Sequence, residues 1–186
     1  IVNEDVLKVD LHKLIREEFA GMPVAVCANL PYYITSPIIM SLLEARLPIV
    51  SLTVMVQKEA AQRLCAAPGS REVGAVSIAV QYYSQPQVLF QVSRGSFMPS
   101  PDVDSTVIRL DVRQQPPVQL KKEEDFFRVV KAAFSQRRKT LPNTLSAGLA
   151  IPKQQALDLL ERAGVASNLR AEQLSMQQFA DIANAV

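Results

Sequence analysis

Ten residues, Ala28-Asn29-Leu30-Pro31-Tyr32-Tyr33-Ile34-Thr35-Ser36-Pro37, concentrate more chemistry than any other stretch of this 186-residue chain. An amide side chain, a carbonyl followed by a rigid proline and two aromatic rings stand side by side. Asn and Pro alone suffice for a turn, so the tyrosines answer either to packing or to a ligand. Read as a site, the set fits a flat heterocycle bearing an exocyclic amine. Asn29 Oδ1 and the Leu30 carbonyl, held outward by Pro31, can each accept a hydrogen from that amine while Tyr32 stacks on the ring. The lone pair of an adenine N6 amine is delocalised into the base. Drawing its hydrogens toward two acceptors makes the nitrogen a nucleophile toward an activated methyl group. Alignment supplies much of the rate in such a reaction, ~7 to 11 kcal/mol for well-oriented pairs, and no general base of unusual pKa is needed.

The rest of the composition narrows the alternatives. His12 is the only histidine, and its setting, Leu11-His12-Lys13-Leu14, reads as a helix surface, which argues against histidine-based hydrolysis and zinc chemistry. The two cysteines, Cys27 in an apolar run and Cys65 in a helical one, have no metal-ligand spacing and are too few for a disulfide framework. Both read as buried free thiols of a reducing compartment. No apolar run reaches the ~18 to 20 residues that span a bilayer, and no signal peptide is visible. These features point to a soluble, cytoplasmic protein with neither a membrane nor a metal as partner. The formal net charge is only +2, but Lys121, Lys122, Arg128, Lys131, Arg137, Arg138 and Lys139 gather along one segment. Cations at the end of a helix either complement its macrodipole or meet a polyanion.

Elements that could position the Asn-Leu-Pro-Tyr run follow from periodicity. Val24 to Ala28 is a strand. Ser36-Pro37 supplies an N-cap and first-turn proline for a helix over Ile38 to Ala45. A nearly continuous apolar strand over Leu52 to Gln57 leads into a helix over Lys58 to Ala67, stopped by Pro68-Gly69. This βαβα order, with strands apolar on both faces, predicts a parallel sheet covered on both sides, with the run at a strand's carboxyl end, where open α/β sheets bind ligands. A helix over Gly74 to Tyr83 and strands over Gln87 to Val92 and Thr106 to Val112 complete this part. Between those strands lies Phe97-Met98-Pro99-Ser100-Pro101-Asp102-Val103-Asp104-Ser105, whose prolines exclude a helix. Past Gln114-Gln115-Pro116-Pro117 only helical patterns remain: Glu123 to Arg138, Leu141 to Ala147, Lys153 to Ala163 ended by Gly164, and Ser175 to Ala185. The expected domains are therefore residues 1–115, α/β, and residues 116–186, all helical.

Four blocks in order and spacing resemble the ribosomal RNA adenine dimethyltransferases of the KsgA type. They are Asn29-Leu30-Pro31-Tyr32-Tyr33; Val56-Gln57-Lys58-Glu59-Ala60-Ala61-Gln62-Arg63-Leu64 leading into Pro68-Gly69-Ser70; the FxPxPxVDS loop from Phe97 to Ser105; and Phe134-Ser135-Gln136-Arg137-Arg138-Lys139-Thr140-Leu141. The likeness covers essentially the whole chain. It implies a Rossmann-like, S-adenosyl-L-methionine-dependent domain and a small helical domain facing RNA. The implied reaction is N6,N6-dimethylation of two adjacent adenosines in small-subunit rRNA, on the pre-30S subunit during ribosome biogenesis.

By the same resemblance, Asn29, Leu30, Pro31, Tyr32 and Phe97 handle the target base, with Phe97 as the aromatic wall facing Tyr32. Asp5 and Val6, in Asn3-Glu4-Asp5-Val6-Leu7, together with Asn29, touch the cofactor. Arg137, Arg138 and Lys139 contact RNA. The family's GxGxG loop and its ribose-binding acid are not in the sequence, which also lacks an initiator Met. The expectation is an N-terminally truncated chain that opens at the third of seven strands and is itself inactive, with poor cofactor binding. Three alternatives share the pattern: an Erm-type methyltransferase of large-subunit rRNA, a DNA adenine methyltransferase, and a non-catalytic RNA-binding or ribosome-assembly factor of the same fold. Tyr33 and the RRKTL block favour the KsgA type over the first. The second usually carries Asn-Pro-Pro-Tyr or Asp-Pro-Pro-Tyr.

Overall fold

The apolar runs become strands and the 3.6-residue patterns become helices. The computed structural model describes all 186 residues. In chain order the elements are α1 (Leu11–Phe19), β1 (Val24–Asn29), α2 (Thr35–Glu44), β2 (Ile49–Gln57), α3 (Lys58–Leu64), α4 (Ala75–Tyr83), β3 (Ser84–Val92), β4 (Ser105–Val112), α5 (Glu123–Ala133), α6 (Leu141–Leu149), α7 (Lys153–Arg162) and α8 (Met176–Ala185). No strand precedes Val24; residues 1–10 are turns and irregular backbone. No helix is long and apolar enough to cross a membrane.

Two compact units emerge. One comprises Ile1–Cys65 and Val80–Gln115, the other Ala66–Ala79 and Pro116–Val186. The chain passes from one to the other at Gln115/Pro116, inside the proline-rich stretch, but Ala66–Ala79 groups with the helices that follow Pro116.

The first unit is built on a sheet of order β1-β2-β4-β3. β1 and β2 are parallel, but β4 runs antiparallel to both β2 and β3, so the expectation of a parallel sheet holds for one pair only. The reason is the connection: residues 93–104 join β3 to β4 without a crossover helix, and parallel neighbours need one. The register then brings four strand ends together. Asn29 ends β1 opposite Met55, and Ser105 opens β4 opposite Gln57 on one side and Val92 on the other. Leu52, Val54, Val56, Ile108 and Leu110 are almost fully buried at the sheet's centre, each contributing ~1.5 to 3 kcal/mol.

β1 is an edge strand, and Ala25, Cys27 and Asn29 on one of its faces are exposed. Cys27 is therefore not the buried thiol its apolar neighbours suggested. Cys65 is partly buried, and burial pushes its thiol up from 9.0 to about 11. A raised folded pKa favours the protonated fold. The contribution of Cys65 to stability is complete below 9.0 and is lost as pH rises through about 11. In the 186-residue chain, Cys27 is expected to alkylate well before Cys65 in an iodoacetamide pulse at pH 8, as read by peptide mass mapping. Equal rates would contradict the burial difference.

Three helix boundaries differ from expectation by three residues or more. α2 begins at Thr35, growing out of a 3-10 turn at Tyr32–Ile34, and Ser36 is not its cap. The Thr35 hydroxyl donates to the Pro31 carbonyl at 3.1 Å, and Pro37 falls in the first turn, where its missing N–H costs nothing. α3 stops at Leu64. α5 stops at Ala133, leaving Phe134 to Lys139 in turns.

In the second unit Phe126, Leu141, Leu145, Leu160, Leu174 and Phe179 are fully buried, and Phe134 stacks on Phe179 with ring centroids 5.8 Å apart. Ser175 caps α8 through a reciprocal pair with Gln178, at 3.2 and 3.0 Å. α5 and α6 approach so closely at Gly148 that a Cβ there would stand 2.5 Å from Ala132 Cα and Cβ. Gly148→Ala gains about 1 kcal/mol of helix propensity, but backbone cannot move aside as a side chain could. We expect a net loss of about 1 to 3 kcal/mol, read as a lower melting temperature. An unchanged or raised melting temperature would show that the helices separate freely.

Candidate functional site

Asn29, Leu30, Pro31, Tyr32, Phe97, Pro99 and Pro101 line one open cleft of about 390 Å³ at the common strand end of the first unit. Two loops build it. The first leaves β1 at Asn29, whose exposed amide stands at the last position of the ladder. The Leu30 amide still donates to the Met55 carbonyl at 3.2 Å, so Leu30, with its side chain buried, stays fixed by β2 although the strand has ended. Pro31 then turns the chain into the 3-10 turn that carries Tyr32. The Ile34 amide and the Thr35 hydroxyl both return to the Pro31 carbonyl.

The Tyr32 ring is half-buried, whereas Tyr33 is 86% exposed. Sequence alone assigned Tyr32 its ring face. The structure also gives its hydroxyl a partner, Ser105 Oγ at 2.7 Å, and Ser105 is fully buried.

The second loop, between β3 and β4, carries Phe97 half-buried and Met98 almost fully exposed. Its prolines line the cleft, and the Met98–Pro99 peptide bond is cis. Polar contacts close the loop at its base. Asp104 Oδ1 accepts the Arg94 amide at 2.9 Å, Ser100 Oγ donates to the Arg94 carbonyl at 2.9 Å, and Arg94 Nη1 donates to the Asp102 carbonyl at 3.1 Å. The Lys58 amide, at the start of α3, donates to the Asp104 carbonyl at 3.0 Å. Arg94, Asp104 and Ser105 escaped sequence reasoning as individual residues. The only signal was that Asp104 and Ser105 end the proline-bearing motif, and a motif does not disclose what its side chains bond.

Asp5 and Val6 do not line the cleft. They occupy an exposed turn in which Asp5 Oδ1 accepts the Leu7 amide at 3.0 Å and Oδ2 lies 3.9 Å from Lys8 Nζ. His12 Nε2 donates to the Ala45 carbonyl at 2.8 Å, a tie between α1 and the end of α2.

In the second unit Arg137, Arg138 and Lys139 are exposed and lie between helices, four or more residues past the end of α5 and just ahead of α6. That position removes the macrodipole reading: cations are favoured in a helix's last turn, not ahead of its positive end. The Arg137 guanidinium donates to the Arg71 carbonyl.

The profile of the family described as Ribosomal RNA adenine dimethylase matches residues 1–186. The chain is 51% identical over 185 residues to the ribosomal RNA small subunit methyltransferase A of Alkaliphilus oremlandii, covering 99% of this chain and 64% of that protein. It is 49% identical over 191 residues to the protein of the same description from a Geobacillus species, strain WCH70, covering 100% of this chain and 65% of that one. The chain thus spans somewhat under two thirds of the length of these relatives. Among solved structures it resembles a dimethyladenosine transferase from Plasmodium falciparum, with a TM-score of 0.78 at 24% identity over 97% of this chain and 70% of that one. It also resembles the 23S rRNA methyltransferase ErmE, with a TM-score of 0.65 at 22% identity over 96% of this chain and 79% of that one. At these identities the two structures speak for the fold alone, a Rossmann-like sheet with helices.

Proposed function

The chain belongs to the ribosomal RNA adenine dimethylase family, and on that premise we propose that it carries the target-base cleft and an RNA-facing helical unit of an enzyme that dimethylates adenosines of small-subunit rRNA. The single observation that carries this reading is the shared cleft. Asn29, Leu30 and Tyr32 come from one loop and Phe97 from another 65 or more residues away, yet all line the same cleft.

In this reading the adenine lies between Tyr32 and Phe97, where stacking contributes ~1 to 3 kcal/mol per base. Asn29 Oδ1 and the Leu30 carbonyl accept the two amine hydrogens and turn the nitrogen lone pair outward. The cofactor, S-adenosyl-L-methionine, supplies an electrophilic methyl group when bound. Neither acceptor is a strong base, so the amine proton released on methylation passes to solvent at the open mouth of the cleft. Asp5 and Val6 fit the cofactor's adenine chemically, as a carboxylate accepting from the exocyclic amine and an amide donating to the ring. The Leu7 amide already holds that carboxylate.

Arg137, Arg138 and Lys139 serve as phosphate contacts. Their place ahead of α6 supports this, because cations and a helix's positive end both favour an anion there. The two compact units then divide the labour, one handling the base and the other the rRNA backbone, in the cytoplasm on the immature small subunit.

The test incubates the intact protein and labelled S-adenosyl-L-methionine with small and large ribosomal subunits from cells lacking the modification. Label recovered as N6,N6-dimethyladenosine from the small-subunit rRNA supports the reading. Label in the large-subunit rRNA places the protein with the Erm type instead. RNA binding without label makes it an assembly factor.

A further inference from the structure

We propose that Asp104 and Ser105 are positioning residues that set the width of the cleft, each fastening one of its two aromatic walls. The inference rests on the reading of the cleft as the target-adenine site and adds what holds that site open at the right gap.

Ser105 serves the Tyr32 wall. As the first residue of β4 it pairs with Gln57 of β2 and Val92 of β3, so strands on both sides fix its position. Its buried hydroxyl holds the Tyr32 hydroxyl at 2.7 Å. The ring is thereby pinned at its tip, while the 3-10 turn pins its backbone.

Asp104 serves the Phe97 wall. Its carboxylate receives the Arg94 amide, and its own carbonyl is held by the Lys58 amide at the start of α3, just past β2. Ser100 and the Arg94 guanidinium complete the closure. Phe97 therefore sits three residues beyond a base that is bonded at both the N–H and the carbonyl of Arg94, and the Phe97 amide itself returns to the Arg94 carbonyl at 3.3 Å.

These contacts do more than decorate a packed loop. Gly95, Ser96, Met98, Pro99 and Ser100 are all exposed, so little apolar burial is available to order the segment. Hydrogen bonds must meet its conformational entropy, and one that ends on an ionised carboxylate is roughly twice as strong as a neutral one. Because Asp104 and Ser105 are adjacent, one rigid dipeptide at the mouth of β4 locates both walls. A flat base between two rings needs a set gap, and misplacement of a reacting group by ~1 Å can cost ~100-fold in rate.

The experiment uses the intact protein, with methyl transfer to the small subunit read as kcat and KM and with thermal melting alongside. Asp104→Ala is expected to lower kcat ~10- to 100-fold, with KM for S-adenosyl-L-methionine and the melting temperature unchanged. Asp104→Asn keeps an acceptor oxygen for the Arg94 amide and should recover most of the loss. Ser105→Ala and Tyr32→Phe should fall together, and the double variant should be no slower than either single, since both remove one bond.

Wild-type kcat in Asp104→Ala overturns the proposal, as does an Asn variant no better than Ala, or losses that multiply in the double. The Asp104 pair stands as a test even where a buried Ser105 variant does not fold. Asn29→Ala separates the two levels. If it abolishes transfer while the Asp104 and Ser105 variants do not slow it, only this proposal fails. If it is inert, the reading of the cleft fails and takes the proposal with it.

Discussion

Asn29→Ala in the intact protein is expected to lower methyl transfer to small-subunit rRNA by about 100-fold or more, the scale on which one preorganised polar group aimed at a reacting atom acts. Asn29 stands at the last rung of β1, exposed, with Leu30 held behind it by Met55. Removing its amide takes away one of the two acceptors proposed to orient the amine and leaves the Leu30 carbonyl in place. The adenine can still stack on Tyr32, and the second unit is untouched, so RNA affinity should stay within about twofold, less than the tenfold that 1.4 kcal/mol would represent. Asn29→Asp, which retains acceptor oxygens, should keep more activity than the alanine variant. Methyl incorporation and filter binding measured side by side decide the matter. Wild-type incorporation in Asn29→Ala would remove the cleft from the chemistry, and a loss of RNA binding parallel to the loss of rate would make Asn29 a binding residue instead.

The second large effect lies in the helical unit. Replacing Arg138 and Lys139 together by Gln should weaken binding to the small subunit and flatten its dependence on salt. Each phosphate left without its cation lowers the slope of log K against log salt by about 0.7 to 0.9, so the pair removes up to about 1.8. Melting temperature should hold, because both side chains project from an exposed turn. Arg137 is different. Its guanidinium is bonded to the Arg71 carbonyl, so Arg137→Gln is expected to lower stability as well as the salt slope. An unchanged slope in the Arg138 and Lys139 double variant would mean that rRNA is held elsewhere.

The two effects come from features that were legible to different degrees. The strand before Asn29, the helices of the second unit and the Asn-Leu-Pro-Tyr run could be read directly, because alternation and 3.6-residue periodicity are properties of neighbours in the chain. The RRK triplet was legible as charge but not as geometry. A helix continued through Arg138 would have made it a C-terminal cap, whereas α5 ends at Ala133 and the cations precede α6.

By itself, then, the sequence determined the order of most elements, the change from α/β to helical character near Pro116, and which side chains are proposed to meet an adenine. Tertiary structure decided the direction of β4, the exposure of Cys27 on an edge strand, and the meeting of Phe97 with Tyr32 in one cleft. It also decided the bond from Tyr32 to Ser105, whose partners are 73 residues apart. Local pattern records whether a residue faces a core, since burying apolar area is non-directional and asks only for a period. Which hydroxyl meets which, and which face of a strand remains bare, depends on strand order and register. Those are settled only when distant segments compete to satisfy their backbone groups.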